Sequence, residues 1–321
     1  MPVLATLMVG LLAVGWLLSG HLVRGVPALA VAAGRTAASF VVISLIAVAM
    51  PRSWPGVRTA GSRPGAILVL AFLGFFVYYS GTLLGTGYLG ASRVGLIVSL
   101  LPCITFVIGI VAFREPATRR KLLGTALAVA AACSYAVADG GVGEGSGSGT
   151  SAGALLSGAL LALGGTVTYA LYGYVYRRRM ADVSPLAALP AVTGAGTVML
   201  GLVTVSFVPL GGVGVADWGG IAVLGAVLTA PVFLISHELI LRKGPLFTSA
   251  VALVVPFLVR LGEWALGWAE APGPLVVALI LLCAAGVWLT VGGASRPAAP
   301  VPPDAPAEPA ASRSVEQGIP R

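Results

Sequence analysis

The chain has 321 residues, of which 58% are hydrophobic and 9% are charged, and its formal net charge is +8. A soluble domain carries about 25% charged residues, so this composition excludes a water-soluble globular protein. The basic residues stand in short gaps between apolar segments and form no patch. Nucleic acid is therefore excluded as a partner, and a lipid bilayer is expected around the chain.

Ten apolar segments follow one another, and each of them, at about 20 residues, is long enough to cross the hydrocarbon core of a bilayer. The predicted spans are 3–20, 27–49, 65–86, 91–113, 120–138, 153–175, 185–208, 218–240, 246–268 and 273–292. The pattern predicts an all-α, polytopic membrane protein with ten transmembrane helices. The first span lacks a basic stretch before it and a small-residue cleavage site after it, so we expect a retained helix and not a signal peptide.

Two segments outside the spans have compositions typical of disorder. Residues 140–152 are rich in Gly and Ser, which predicts a flexible linker between the fifth and sixth spans. Residues 293–321 contain seven prolines and mixed charges, which predicts a disordered tail. The linker divides the spans into a first half, residues 1–139, and a second half, residues 153–292, with five spans each.

The basic residues alternate from gap to gap. The gaps after the even-numbered spans hold twelve of them: Arg52, Arg58, Arg63, Arg114, Arg119, Arg120, Lys121, Arg177, Arg178, Arg179, Arg242 and Lys243. The gaps after the odd-numbered spans hold two, Arg24 and Arg93, among acidic residues. Loops rich in Lys and Arg remain in the cytoplasm, so both termini are predicted to be cytoplasmic.

The two halves show weak internal similarity. When Pro102 is set on Pro256, spans three and four align without gaps to spans eight and nine, and Gly90 falls on Gly244. Because each half has an odd number of spans, the second copy would be inserted upside down. Inverted repeats of this kind are typical of secondary transporters, which bind their substrate near the middle of the membrane between the halves.

Three stretches, 26–39, 99–127 and 153–187, resemble the EamA-type family of the drug/metabolite transporter superfamily. Arg35 stands at the family's arginine position, and Pro102, Glu115 and Gly124 match the motif of its fourth and fifth helices, while Arg114 replaces the glycine before the glutamate. The resemblance covers residues 3–292. It implies that the chain is a ten-helix carrier of the bacterial inner membrane, built from inverted repeats around a central cavity, and that it exports small metabolites or drugs.

Ionisable residues inside a membrane are costly, so each needs an explanation. Arg260 and Glu263 share a face of the ninth span, either as an internal ion pair or with Glu263 as a coupling site and Arg260 as an anchor for a carboxylate. Arg35 either extends to the outer headgroups or lines the mouth of the cavity and attracts an anionic or zwitterionic substrate.

Histidine 237 and the tyrosines of the third and sixth spans are further candidates. His237 is either a hydrogen-bonded interface residue or a group that titrates and couples transport to protons. Tyr78, Tyr79, Tyr169 and Tyr172 either make ordinary helix contacts or line a cavity for amino-acid-like or aromatic substrates.

These patterns favour a carrier that works by alternating access, as a monomer or homodimer, for a small-molecule substrate. No nucleotide-binding motif is present, so ATP hydrolysis is not expected to drive it, and whether protons do is left open. Neither a metal site nor a cofactor is expected, since the cysteines lie singly inside apolar segments. The alternatives are an intramembrane enzyme and a non-transporting membrane scaffold or sensor.

Overall fold

The computed structural model describes residues 2–23, 25–89, 94, 97–98, 100–116, 118–139, 152–268 and 271–292. The predicted tail, almost all of the predicted linker and much of the first half of the fourth predicted span lie outside these ranges. The described residues form helices and contain no β-strand.

Apart from the fourth span, whose described helix begins ten residues after the predicted start, the helices coincide with the predicted spans to within a few residues. In the first half they are α1 (Pro2–Leu22), α2 (Ala28–Ala49), α3 (Trp54–Gly61), α4 (Pro64–Ala71), α5 (Tyr78–Leu89), α6 (Leu101–Phe113) and α7 (Arg119–Asp139). In the second half they are α8 (Ala152–Arg179), α9 (Pro185–Phe207), α10 (Val215–Val223), α11 (Ala230–Lys243), α12 (Pro245–Ala252), α13 (Val255–Ala265) and α14 (Pro274–Gly292).

Among the described residues, seven helical segments are long and apolar enough to cross a membrane, and two shorter apolar helices begin at Leu101 and at Pro274. The outer surface of the bundle is apolar, and Val111 and Phe207 expose 75% and 78% of their area. Such a surface suits lipid and not water. The prediction of an all-α, polytopic membrane protein is confirmed.

Four local features were not predicted from the sequence. The short helix α3 lies in the gap between the second and third spans. A π-helical turn, Phe72–Val77, joins α4 to α5, and a second one, Leu224–Thr229, joins α10 to α11. The ninth span is broken after Ala252, and α13 begins three residues later, at Val255, with a proline in its first turn, where a missing N–H costs no helical hydrogen bond.

Contacts between loops show which gaps share a face of the bundle. Arg63 pairs with Asp182 at 2.6 Å, and this hydrogen bond lowers the pKa of the Asp182 carboxyl below its ordinary value. Arg177 pairs with Glu115 at 3.0 Å. These pairs join the basic gaps after spans two, four and six, so the three gaps lie on one face of the bundle.

Some helix pairs approach one another through glycine. A β-carbon on Gly124 of α7 would lie 2.7 Å from the carbonyl oxygen of Gly286 of α14, and one on Gly286 would lie 2.5 Å from the nitrogen of Ala128. A similar contact joins α5 to α8, where a β-carbon on Gly81 would meet the carbonyl oxygen of Leu161 at 2.6 Å. Small residues of this kind bring membrane helices into backbone contact.

Candidate functional site

A cavity of about 170 Å³ lies inside the bundle and is lined by both halves of the chain. The first half contributes residues of α1, α2, α5 and α6, and the second half contributes residues of α8, the second π-helical turn, α11 and α12. Five of the residues predicted to line a substrate cavity come together here: Arg35, Tyr78, Tyr79, Tyr169 and Tyr172.

Arg35 is the one charged residue among the described residues that line the cavity. Its Nη2 donates a hydrogen bond to the Tyr79 hydroxyl at 2.5 Å, and its guanidinium carbon lies 4.9 Å from the centre of the Tyr79 ring. Its Nε is buried and has no hydrogen-bond partner among the described residues. Arg35 therefore lines the cavity with a guanidinium whose hydrogen bonds to the described residues are incomplete.

The tyrosines form one aromatic wall of the cavity. The rings of Tyr78 and Tyr169 stack with their centres 4.4 Å apart, and those of Tyr169 and Tyr172 stack at 5.8 Å. The Tyr172 ring lies over the first π-helical turn at Gly74, where a β-carbon would come within 2.5 Å of it. Only glycine at this position leaves room for the Tyr172 ring, which extends from α8, to pack against the turn.

His237 lies behind this wall and bonds to it. Its Nε2 is hydrogen-bonded to the Tyr172 hydroxyl, and its Nδ1 lies 2.6 Å from the carbonyl oxygen of Phe233. A carbonyl can only accept, so Nδ1 carries a proton and the neutral ring accepts the Tyr172 proton at Nε2. His237 does not line the cavity, but Tyr172 connects it to the cavity by one hydrogen bond.

Arg260 and Glu263 lie elsewhere. Neither residue is in the described lining of the cavity. The sequence pattern treated the ninth span as one helix with Ser249, Arg260 and Glu263 on a shared face, but the helix is broken after Ala252. Ser249 of α12 lines the cavity, whereas no residue of α13 belongs to its described lining.

Beyond the cavity, the two halves meet on the face that carries the basic gaps. A β-carbon on Gly173 of α8 would lie 2.9 Å from the Cβ of Pro245, so this end of the cavity is closely packed. One turn further on, Arg177 pairs with Glu115, and the Tyr174 hydroxyl lies 3.3 Å from the same carboxylate. These contacts close the cavity toward that face.

Several lining residues were not identified from the sequence. They include Phe233 and the hydroxyl-bearing side chains of Thr105, Thr229, Ser236 and Thr248. Each of these hydroxyls donates a hydrogen bond to a backbone carbonyl oxygen three to five residues earlier in the chain. Toward the cavity, its oxygen can therefore act as a hydrogen-bond acceptor. Isolated Ser and Thr are common in membrane helices, and only their position beside the cavity distinguishes these four.

A multi-pass helical bundle with a partly polar cavity between its halves is the architecture of a membrane transporter. Comparison with known proteins agrees. The family model described as "EamA-like transporter family" matches residues 2–136. A curated relative from Bacillus subtilis (strain 168), named "Uncharacterized transporter YyaM", is 25% identical over 241 residues, which cover 72% of this chain and 77% of that protein.

These findings agree with the resemblance seen in the sequence, because the first part of the chain matches the model of EamA-like transporters and the relative is named as a transporter. A solved crystal structure also matches the chain with a TM-score of 0.76 over 91% of this chain and 96% of the other. The two sequences are 18% identical, so that likeness shows the shared fold alone.

Proposed function

We propose that this transporter exports small organic molecules by alternating access and that its substrate binds in the cavity between the halves. The observation that carries the proposal is the convergence of Arg35 and four tyrosines from both halves on one cavity. Polar groups persist inside a bilayer where they meet partners, water or a substrate. An intramembrane enzyme would need clustered nucleophiles, acids or metal ligands, and the cavity's described lining offers no such cluster.

The packing of the helices supports the proposal that the halves are inverted repeats. α2 packs on α9 and α7 packs on α14, and each of these pairs maps onto itself when the halves are exchanged. The contact of α6 with α8 corresponds in the same way to that of α13 with α1. The helices α6 and α13 also begin at equivalent residues, Leu101 and Val255, in the alignment that sets Pro102 on Pro256.

The ion pairs between loops support the proposed orientation in the bacterial inner membrane. They place the gaps after spans two, four and six on one face, and all three gaps are rich in arginine. The positive-inside rule makes that face cytoplasmic, and an even number of spans then brings both termini to it.

Of the two candidates for proton coupling, His237 is favoured by its position. It reaches the cavity through Tyr172, whereas Glu263 lies outside the lining. A protonated His237 could no longer accept from the Tyr172 hydroxyl and would donate to its oxygen instead, so the hydroxyl proton would be free to point toward another acceptor. Transport by His237→Gln should lose its dependence on a pH gradient if this coupling exists. An unchanged dependence would mean that His237 only supports Tyr172.

The proposed function is tested by comparing the culture media of a deletion strain and an overexpressing strain for exported metabolites. A compound that follows the protein is then followed in proteoliposomes. Tyr169→Ala should slow its transport by about tenfold, because an aromatic wall of the cavity is lost. Leu163→Ala is the matched control, since it changes an exposed residue of the same helix. Equal losses in both variants, or no exported compound at all, would contradict the proposal.

A further inference from the structure

The charge inside the cavity is of one sign. Arg35 is the one charged residue in its described lining, Glu263 lies outside that lining, and four other described acids are engaged elsewhere. Glu115, Asp182 and Glu238 each pair with another arginine, and Asp217 accepts a hydrogen bond from the backbone of Gly214 at the start of α10. The described lining therefore presents a positive charge with which no described carboxylate forms an ion pair.

The guanidinium is also incompletely hydrogen-bonded. Its Nη2 donates to Tyr79, but its buried Nε has no acceptor. A buried donor without a partner is unfavourable, and an unpaired charge is more so. An anionic group that entered the cavity beside Arg35 would supply an acceptor for the guanidinium and the missing negative charge together. A carboxylate suits a guanidinium because its two oxygens can accept two N–H hydrogen bonds at once.

The rest of the cavity is suited to an uncharged body. The stacked rings of Tyr78 and Tyr169 offer flat apolar faces, and Trp16 of α1 adds another ring to the lining. An ammonium group would find no described carboxylate in the lining and would be repelled by Arg35. The cavity therefore discriminates by charge as well as by shape.

We propose that the cavity takes a small organic anion, with its carboxylate on Arg35 and an apolar or aromatic body against the tyrosines, and that it rejects organic cations. This inference rests on the proposed function, because it names the class of substrate that the transporter carries. It distinguishes the protein from an exporter of cationic drugs.

The test uses three probes of nearly the same shape: benzoate, which is anionic, benzamide, which is neutral, and benzylamine, which is cationic at neutral pH. A ligand that binds the folded protein raises its melting temperature as its concentration rises. For the detergent-purified protein we expect benzoate to raise the melting temperature, measured against sodium chloride of equal ionic strength, and the other two probes to leave it unchanged. Stabilisation by benzylamine, or by none of the three, would overturn the proposal.

Variants of Arg35 show whether the effect arises in the cavity. Arg35→Gln should weaken benzoate binding by about ten- to a hundredfold, as expected for loss of a charged hydrogen-bond partner. Arg35→Lys should retain part of the binding because it keeps the charge. The control is Arg58→Gln, which removes an exposed arginine of α3. If Arg35→Gln does not fold, the contrast between the three probes on the unaltered protein still decides the question.

Anionic lipids also carry a negatively charged group, in their headgroups, that an arginine can bind. A parallel titration with phosphatidylglycerol in mixed micelles separates the two sources of an anion. Stabilisation by the lipid without stabilisation by benzoate would place a headgroup at Arg35 and overturn the proposal of a soluble substrate.

The binding assay needs no transport, so the two proposals can fail separately. A protein that binds benzoate but carries no solute in proteoliposomes would contradict the transport mechanism and leave the anion site standing. A protein that exports solutes but does not distinguish the probes would contradict the anion site alone.

Discussion

Arg114 carries a conformation that favours glycine. It ends α6 with a φ of 52°, in the left-handed region, and it is the one described non-glycine residue with positive φ. The turn lets the Glu115 nitrogen bond to the carbonyl oxygen of Gly109 at 2.9 Å and directs Glu115 toward Arg177. The family resemblance sets a glycine at this position, and the backbone geometry gives the physical reason.

We predict that Arg114→Gly stabilises the protein by about 1 kcal/mol, because glycine adopts the left-handed conformation without a steric penalty. The measurement is the thermal midpoint of the purified protein in detergent, which should rise. Arg58→Gly is the control of opposite sign, since it places glycine in the interior of helix α3. A fall in the midpoint for Arg114→Gly would show that the arginine side chain contributes more than its backbone costs.

At this scale the sequence predicted residue types well and contacts poorly. Ionisable and aromatic residues inside apolar spans identified Arg35 and the tyrosines, because the bilayer makes such residues conspicuous. The hydrogen bond between Tyr172 and His237 joins residues 65 positions apart and depends on how α8 and α11 are turned toward each other. The sequence of either helix alone does not determine how the two helices are rotated relative to each other.

Among the helices, α7 and α14 are held together by backbone contact through Gly124 and Gly286. Thr125 and Thr290 add a contact between their hydroxyls at 3.5 Å in the same interface. Lipid competes with apolar side chains for a helix surface, so close packing and hydrogen bonds are what make two membrane helices associate. This pair links the last span of one half to the last span of the other.

We predict that Gly286→Ala lowers the thermal midpoint, although alanine is intrinsically the better helix former by about 1 kcal/mol. The added carbon would lie 2.5 Å from a backbone nitrogen of α7, which cannot move aside as a flexible side chain would. Gly201→Ala in α9 is the matched control, because a β-carbon there meets nothing within 4 Å. The control should keep or raise the midpoint, and equal effects of both substitutions would contradict the packing argument.

The helices themselves were the most predictable level of structure. An apolar run long enough to cross the bilayer can hardly form anything else, so the spans followed from length and hydrophobicity alone. The π-helical turns and the break between α12 and α13 were not predicted. Each of them depends on how a helix packs against its neighbours. The sequence is apolar before and after each feature, so hydrophobicity does not mark its position.

For the whole molecule, the proposed orientation predicts which loops face outward. In a cysteine-free background, a cysteine at the exposed position of Gly212 should react with an impermeant thiol reagent added to intact cells. A cysteine at the exposed position of Ser62 should react only after the cells are opened. Labelling of Ser62→Cys in intact cells, with Gly212→Cys protected, would reverse the orientation.

The ion pair of Glu115 and Arg177 joins the two halves where the cavity is closed. Glu115 belongs to the first half and Arg177 to the second, and a β-carbon on Gly244 would lie 3.1 Å from an Nη atom of Arg177. A transporter that alternates between two openings must separate such contacts in one of its states. The pair therefore favours the state in which this end is closed.

We predict that Glu115→Gln opens this end more often. In a cysteine-free background, a cysteine at Thr248, which lines the cavity, should react several times faster with a thiol reagent from the predicted cytoplasmic side, measured in inside-out vesicles. Exchanging the partners, Glu115→Arg with Arg177→Glu, should restore the slow rate. Glu238→Gln breaks an ion pair within a single helix and should leave the rate unchanged. Equal rates in all four proteins would show that the pair does not hold the halves together.

The two π-helical turns also determine where this chain tolerates the loss of a residue. A π-helical turn bonds each residue to the fifth one along instead of the fourth, so it contains one residue more than the same length of α-helix requires. Deleting one residue within Phe72–Val77 would let the turn relax to an α-helix and would leave Tyr78 and Tyr79 facing the cavity. In the middle of α8 there is no extra residue to remove, so a deletion would rotate every later residue of the helix about the helix axis by about 100°. In proteins related to this chain, insertions and deletions in the third and eighth spans should therefore gather at these turns.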